Sequence, residues 1–283
     1  MHLFKTTKGI VLKEKDRSFL LNDSWDDLIN QQNLYDHLHQ LTQSAKSISE
    51  RDSEDLIGSH LLPPVGNQEV WAAGVTYLKS RDARMEESKD SGGADCYQKV
   101  YEAERPELFF KAMPHRVVGH GAQVNIRKDS TWNVPEPELT LYINSWGSIQ
   151  AYTIGNDMSS RSIEGENPLY LPQAKMYEKS AAVGPCLFVP EKPISLETVI
   201  RLKIKRGEKI MFEAETPVSR MKRSLTELAG YLFREFDFAA GCLLMTGTCL
   251  VPPNDFTLLE GDTVEINIDH IGTLINSISV KGK

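Results

Sequence analysis

Three carboxylates stand at spacings that suit a hard metal ion. Glu136 and Glu138 lie in Val134-Pro135-Glu136-Pro137-Glu138-Leu139, and Asp157 lies in Gly155-Asn156-Asp157. The glutamates open an apolar run, Leu139-Thr140-Leu141-Tyr142-Ile143. If that run is a strand, its period of two puts both carboxylates on one face. Asp157 ends a second strand-like run that begins at Ile149, and Ser145-Trp146-Gly147-Ser148 reads as the turn between them. Such a hairpin brings all three carboxylates to one point. Oxygen ligands with no cysteine or histidine nearby suit Mg²⁺, with Mn²⁺ or Ca²⁺ as alternatives, rather than zinc. The competing reading is a solvated acidic strand end.

The elements around the hairpin must position and cover it. An apolar strand, Val70-Trp71-Ala72-Ala73-Gly74-Val75, is followed by a strongly polar stretch over 77–105, interrupted at Ser91-Gly92-Gly93-Ala94-Asp95. That pattern predicts helix, loop, helix: either a flap that excludes water from a site or a plain solvated connection. Leu108-Phe109-Phe110-Lys111 returns the chain to the core. The run from Arg161 to Lys175 is too dense in polar and turn-forming residues for a core strand, and predicts a loop that carries Lys175 back toward Asp157. Hairpins are expected around Arg206-Gly207-Glu208-Lys209 and Ile271-Gly272. Between them Ser224 and Glu227 predict a capping box for a helix with Leu225, Leu228, Ala229, Leu232, Phe233 and Phe236 as its buried stripe.

Residues 1–65 read as a small N-terminal unit and 66–283 as the larger one. The first contains the strands Ile10-Val11-Leu12 and Ser18-Phe19-Leu20-Leu21, then a helix capped by Ser24 and running to Leu41. Leu61-Leu62-Pro63-Pro64-Val65-Gly66 reads as the linker, since paired prolines end regular structure. The class is α+β, mostly β.

The 283 residues carry a formal charge of −7, which gives no support for nucleic acid or an anionic membrane as partner. The basic cluster Lys203, Lys205, Arg206 and Lys209 reads as a solvated hairpin tip. Cys96, Cys186, Cys242 and Cys249 form no CxxC pair, and the last three sit in apolar surroundings as small buried hydrophobes. Met1-His2-Leu3-Phe4-Lys5 opens no secretory signal, and the expectation is a reduced, cytoplasmic protein.

The ordered set Glu136-Pro137-Glu138, Gly155-Asn156-Asp157, Lys175, Val183-Gly184-Pro185, Thr246-Gly247-Thr248 and Glu260-Gly261-Asp262 resembles the fumarylacetoacetate hydrolase superfamily from about Trp71 onward. The resemblance implies a mixed β-roll with a small N-terminal α/β domain, commonly in a homodimer or homotetramer. It implies Glu136, Glu138 and Asp157 as ligands of a divalent metal, usually Mg²⁺. Lys175 would point into the site, and Thr248 would help hold a substrate carboxylate. The hydrolytic members carry a His-x-x-Glu pair in the flap to activate water, whereas Tyr77 to Glu86 contains no histidine here. Loss of a general base removes about 10²–10⁴-fold from water attack. His115 and His120 lie beyond the next strand and read as structural or solvated.

The run from Arg161 to Lys175 is instead similar to the branch typified by 2-keto-3-deoxy-D-arabinonate dehydratase. The expected activity is therefore Mg²⁺-dependent dehydration of a 2-keto-3-deoxy sugar acid, a small 2-oxo acid, to 2,5-dioxopentanoate. Carbon–carbon hydrolysis or decarboxylation of an acylpyruvate-like diketo acid is the alternative. Lys175 is the first candidate base, because burial favours the uncharged amine; its rival role is a cation that only offsets the carboxylates. Glu107 is a candidate acid or base, with Glu164 and Glu166 behind it. Arg81 and Arg84 in the flap, and Lys111 less so, are candidates to bind the substrate carboxylate or hydroxyls.

Overall fold

A computed structural model describes residues 1–87 and 94–282. Two sheets carry the architecture. The larger follows the order Lys46–Ile48, Arg17–Leu21, Gly9–Glu14, His2–Thr6, Ala181–Phe188, Ile149–Asp157, Pro137–Ile143, Cys242–Met245, Glu69–Gly74, Glu107–Ala112. Val117–Val118 pairs in parallel with the start of Ala181–Phe188. The smaller sheet has five strands in the order Lys209–Pro217, Val199–Arg206, Thr263–Ile268, Gly272–Val280, Gln123–Ile126. This is the mostly β, α+β class expected.

Alternation along the central hairpin decides where the site lies. Leu139, Leu141 and Ile143 face the smaller sheet and pack with Leu202, Val264, Ile266 and Leu274. Tyr142 and Ala151 face the other way, into a second core with Leu3, Leu12, Trp25 and Leu28 of the N-terminal segment. Every residue of Pro137–Ile143 is buried, as expected of a central strand covered on both faces. Glu138 shares parity with Thr140 and Tyr142, so it points away from the inter-sheet core.

Several local expectations need correction. The predicted helix from Ser24 to Leu41 is two helices, Trp25–Ile29 and Leu34–Leu41. The side chain of Ser24 makes no capping bond, whereas Asn33 accepts from Asp36 N at 3.3 Å and starts the second helix. The strands His2–Thr6 and Lys46–Ile48 and the helix Glu50–His60 escaped the sequence reading. In the helix Leu225–Leu232, Ser224 Oγ accepts from Glu227 N at 3.1 Å, but the Glu227 carboxylate pairs with Arg223 instead of closing the capping box. The helix stops short of Phe236, which is half exposed. The polar run after Arg161 is not a loop but a chain of short helices, Arg161–Glu166, Pro168–Tyr170 and Leu171–Lys175. The two flap helices are Leu78–Glu87 and Ala94–Glu102; residues 91–93 of the expected interruption lie outside the described residues.

The two expected hairpins form, Val199–Arg206 with Lys209–Pro217 and Thr263–Ile268 with Gly272–Val280. The Glu260-Gly261-Asp262 motif works at the second of these hairpins. Buried Asp262 accepts from Arg206 Nε and Nη2 at 2.8 and 2.9 Å, a two-point clamp on the hairpin end.

Candidate active site and metal centre

Glu136 sits between two prolines, and a residue before proline is driven to extended backbone. The extended register therefore begins ahead of the strand Pro137–Ile143 and carries Glu136 and Glu138 to one side. Pairing sets the third carboxylate: Glu138 lies opposite Gly155, Pro137 opposite Asn156, and Asp157 N donates to Glu136 O at 2.9 Å. Glu136, Glu138 and Asp157 are 3%, 1% and 1% exposed. One oxygen from each lies within 4.8 Å of the others. A solvated acidic strand end is excluded by that burial.

Cations surround the group. Lys175, carried in by the Leu171–Lys175 turn, donates from Nζ to Glu136 Oε2 at 2.6 Å and to Asp157 Oδ2 at 3.0 Å. Arg84 of the first flap helix reaches Glu136 Oε1 at 3.4 Å and pairs with Glu164. Arg161 Nη2 stands 3.6 Å from the same Glu136 oxygen. Lys111 approaches Asp157 Oδ1 at 2.5 Å from below, and donates to Met158 O at 3.0 Å and Lys175 O at 2.5 Å.

This unequal distribution of cations separates the carboxylates electrostatically. Burial would raise Glu136, but Lys175, Arg84 and Arg161 more than offset it and hold its carboxyl below the usual range. Glu138 has the Gly247 N–H as its described hydrogen-bond partner, at 2.6 Å. Burial, then the charges of Asp157 and Glu136, push it well above the ordinary value. The group is thus short of positive charge at Glu138, and its donors are all hard oxygens. That combination fits Mg²⁺ or a similar dication. Burial also pushes Lys111 down to about 8, against the pull of Asp157.

Glycines make room for these contacts. Gly247 adopts φ +95°, and a Cβ there would lie 2.0 Å from Thr76 Oγ1; only glycine offers its N–H to Glu138 in this conformation. A Cβ on Gly74 would lie 1.9 Å from Glu107 Oε2. Glu107 therefore lays its carboxyl over the backbone of a residue that lines the cavity. Burial pushes that carboxyl up, opposed by Arg84 and Lys175. Next to Gly74, Val75 takes φ 52°, a conformation that a β-branched residue rarely adopts.

Ala73, Gly74, Val75, Ser80, Phe109 and Thr248 complete the lining around the charged groups. The enclosed volume is about 10 Å³, room for roughly one water-sized body. The structure brings together Glu136, Glu138, Asp157, Lys175, Arg84 and Thr248, with Glu107 at the wall. It turns two of the expected binding residues elsewhere. Arg81 pairs with Asp82 and lies over the Tyr101 ring at 5.1 Å. Lys111 is fully buried behind Asp157, where its Nζ supports the carboxylate and two backbone carbonyls. His115 and His120 are exposed.

Arg161 was named only as part of the polar run, and Glu164 only as a lesser acid or base. Their joint placement depends on the Arg161–Glu166 helix, whose N-cap Ser160 accepts from Ile163 N at 3.4 Å. Ser159 Oγ then donates to Glu164 Oε2 at 3.1 Å. The available signal was a run of charges too polar for a core strand yet adjacent to one.

Comparison with known proteins agrees with this geometry. The family model for the fumarylacetoacetate (FAA) hydrolase C-terminal region matches residues 70–279. A probable 2-keto-3-deoxyxylonate dehydratase from Haloferax volcanii is 45% identical over 243 residues, covering 85% of this chain and 81% of that protein. A 2-dehydro-3-deoxy-D-arabinonate dehydratase from Saccharolobus solfataricus is 43% identical over 224 residues, 78% of this chain and 74% of its own. A solved structure of 2-keto-3-deoxy-D-arabinonate dehydratase complexed with magnesium and 2,5-dioxopentanoate superposes with a TM-score of 0.83 at 33% identity, covering 100% of both chains. With its buried carboxylate triad on the central hairpin and a family match across both sheets, the chain belongs to the fumarylacetoacetate hydrolase family.

Proposed function

We propose that this protein is a Mg²⁺-dependent dehydratase of a 2-keto-3-deoxy sugar acid, with 2-keto-3-deoxypentonate as substrate and 2,5-dioxopentanoate as product. The observation that carries the reading is the buried triad Glu136, Glu138 and Asp157 with Lys175 Nζ against two of its members. The likeness to dehydratases over most of the chain supports the substrate class. Glu136, Glu138 and Asp157 hold the dication, which when bound polarises the C2 carbonyl of a 2-oxo acid and acidifies its C3 hydrogens.

The chain's own groups supply the rest. Lys175 takes the C3 proton. Glu107, whose carboxyl burial pushes above its ordinary value, gives a proton to the departing C4 hydroxyl. One water leaves across C3 and C4 to give a 5-hydroxy-2-oxo-3-enoate. Loss of a C5 proton and return of a proton to C3 move the double bond to C4–C5, and that enol tautomerises to the C5 aldehyde. Thr248 and Arg84 line the space where the substrate carboxylate and hydroxyls lie. Lys111 holds Asp157 and the Lys175 backbone in place rather than meeting the substrate. Assembly as a homodimer or homotetramer in the cytoplasm belongs to the same reading. Among the described residues no helix is long and apolar enough to cross a membrane.

The test is a paired assay on metal-loaded protein. Formation of 2,5-dioxopentanoate from 2-keto-3-deoxypentonate with Mg²⁺, abolished by EDTA and restored by Mg²⁺, is expected. Loss of enol absorbance from an acylpyruvate, with no dehydration, would replace dehydratase by hydrolase.

A further inference from the structure

Both ends of the flap are rooted on one short segment of the body, Met221-Lys222-Arg223. At the entrance, Tyr77 forms an antiparallel bridge with Met221. Lys222 N donates to Thr76 O at 2.9 Å, and Thr76 Oγ1 donates to Thr246 O at 2.8 Å. At the exit, Arg223 takes one carbonyl of the last turn of the second flap helix and two just past its end. Its Nη2 donates to Ala103 O at 2.5 Å and Val100 O at 3.3 Å, and its Nη1 to Glu104 O at 2.7 Å. A cation on the last carbonyls of a helix satisfies acceptors the helix cannot and complements its dipole. Arg223 is 8% exposed, and Glu227 Oε1 accepts from it at 2.7 Å, so the guanidinium is itself held.

Tyr101 connects the two helices to that segment. Lys222 Nζ donates to Tyr101 O and lies 4.4 Å from its ring centroid. The Arg81 guanidinium, from the first flap helix, lies over the same ring at 5.1 Å. Arg81 and Arg84 are three residues apart and therefore neighbours on the helix surface. The stack Lys222, Tyr101, Arg81 thus fixes the turn that carries Arg84 to Glu136 and Glu164. The cavity beneath, about 10 Å³, is too small for a five-carbon acid, so substrate entry requires this clamp to yield.

We propose that Tyr101 and Arg223 are positioning residues: together they clamp the flap onto the body and set the position of Arg84 over the metal centre. Neither touches the carboxylates. The clamp is independent of which 2-oxo acid binds, and only the kinetic arm of its test rests on the dehydratase reading.

Amide hydrogen exchange on the full-length, Mg²⁺-loaded protein tests it. Tyr101→Leu and Arg223→Ala should each speed exchange in the helices Leu78–Glu87 and Ala94–Glu102 by about tenfold or more, leaving the 137–157 hairpin unchanged. Tyr101→Phe keeps the ring and should match wild type; Arg223→Lys, a single-point donor, should fall between. With 2-keto-3-deoxypentonate, KM should rise about tenfold in Tyr101→Leu while kcat changes less than about threefold. Unchanged flap exchange in either variant overturns the proposal. Equal acceleration in the hairpin also overturns it, because the two residues would then serve general stability. Silence of the wild type toward the sugar acid would remove the dehydratase reading and leave the exchange result standing.

Discussion

On the five-stranded sheet, Lys205 meets Glu265 at 2.6 Å, Lys203 meets Glu213 at 2.7 Å and Arg201 meets Asp269 at 2.5 Å. On the central hairpin, Lys175 meets Glu136 and Asp157 at 2.6 and 3.0 Å. The distances are alike and the surroundings are opposite. The Arg201 side chain is 42% exposed and that of Lys175 is 0% exposed. Exposed pairs contribute about 0–1 kcal/mol each, because water and salt screen them. Buried ions each cost several kcal/mol to desolvate, and removal of one partner strands the other. The ladder therefore keeps a sheet face solvated, whereas the hairpin spends stability to hold charge ready for a ligand. This comparison also accounts for the basic run Lys203, Lys205, Arg206: three strand residues with acidic partners across the sheet or at its end.

The sharpest break in the comparison comes from the carboxylates. Glu136→Ala or Asp157→Ala should abolish metal-dependent turnover and cost about 3–5 kcal/mol in denaturant unfolding, because Lys175 loses a buried partner. Full turnover in either variant would remove the metal centre from the account. Lys175→Met comes next. Turnover should fall by about 10²–10⁴-fold while calorimetry still detects Mn²⁺ binding. Its Tm should gain more from Mg²⁺ than the wild type's, since the carboxylates then lack their native counter-charge. Activity at a tenth of wild type would show that Lys175 is not the base.

Gly247→Ala probes the backbone rather than the charges. A side chain at φ +95° and 2.0 Å from Thr76 Oγ1 should pull the N–H off Glu138 and weaken Mn²⁺ binding by about tenfold, read by titration. The smallest effect belongs to the ladder. The hydrogen bond from Arg201 holds the Asp269 carboxyl below its ordinary value. A depressed folded pKa gives stability that is present above the unfolded value and lost as pH falls through the folded one. Arg201→Ala should therefore cost under about 1 kcal/mol at neutral pH, vanish in acid, shrink in high salt and leave turnover untouched.

Much of the site could be read before any coordinates. The period of two along the apolar run puts Glu136 and Glu138 on one face, and the Ser145-Trp146-Gly147-Ser148 turn brings Asp157 back beside them. These are short-range effects, and they survive folding because the hairpin is sequence-local. Arg81 and Arg84 could not be separated in the same way. Both lie on a polar helix, and the Tyr101 ring, 20 residues after Arg81, captures one of them. Lys111 misled for a related reason: strand parity cannot say whether a lysine points into a cavity or beneath a neighbouring carboxylate. The helix that seats Arg161 and Glu164 was hidden by its own polarity, since these buried charges pair with partners distant in the chain.

Local chain stiffness and the two-residue repeat are written in consecutive residues, so the amino-acid order alone determined a paired-strand carboxylate triad, a helical cover and the family pattern. Which cation faces which oxygen was left to the assembled tertiary structure. That choice depends on desolvation and on contacts between segments brought together from as far apart as Arg84 and Glu164 or Thr76 and Thr246.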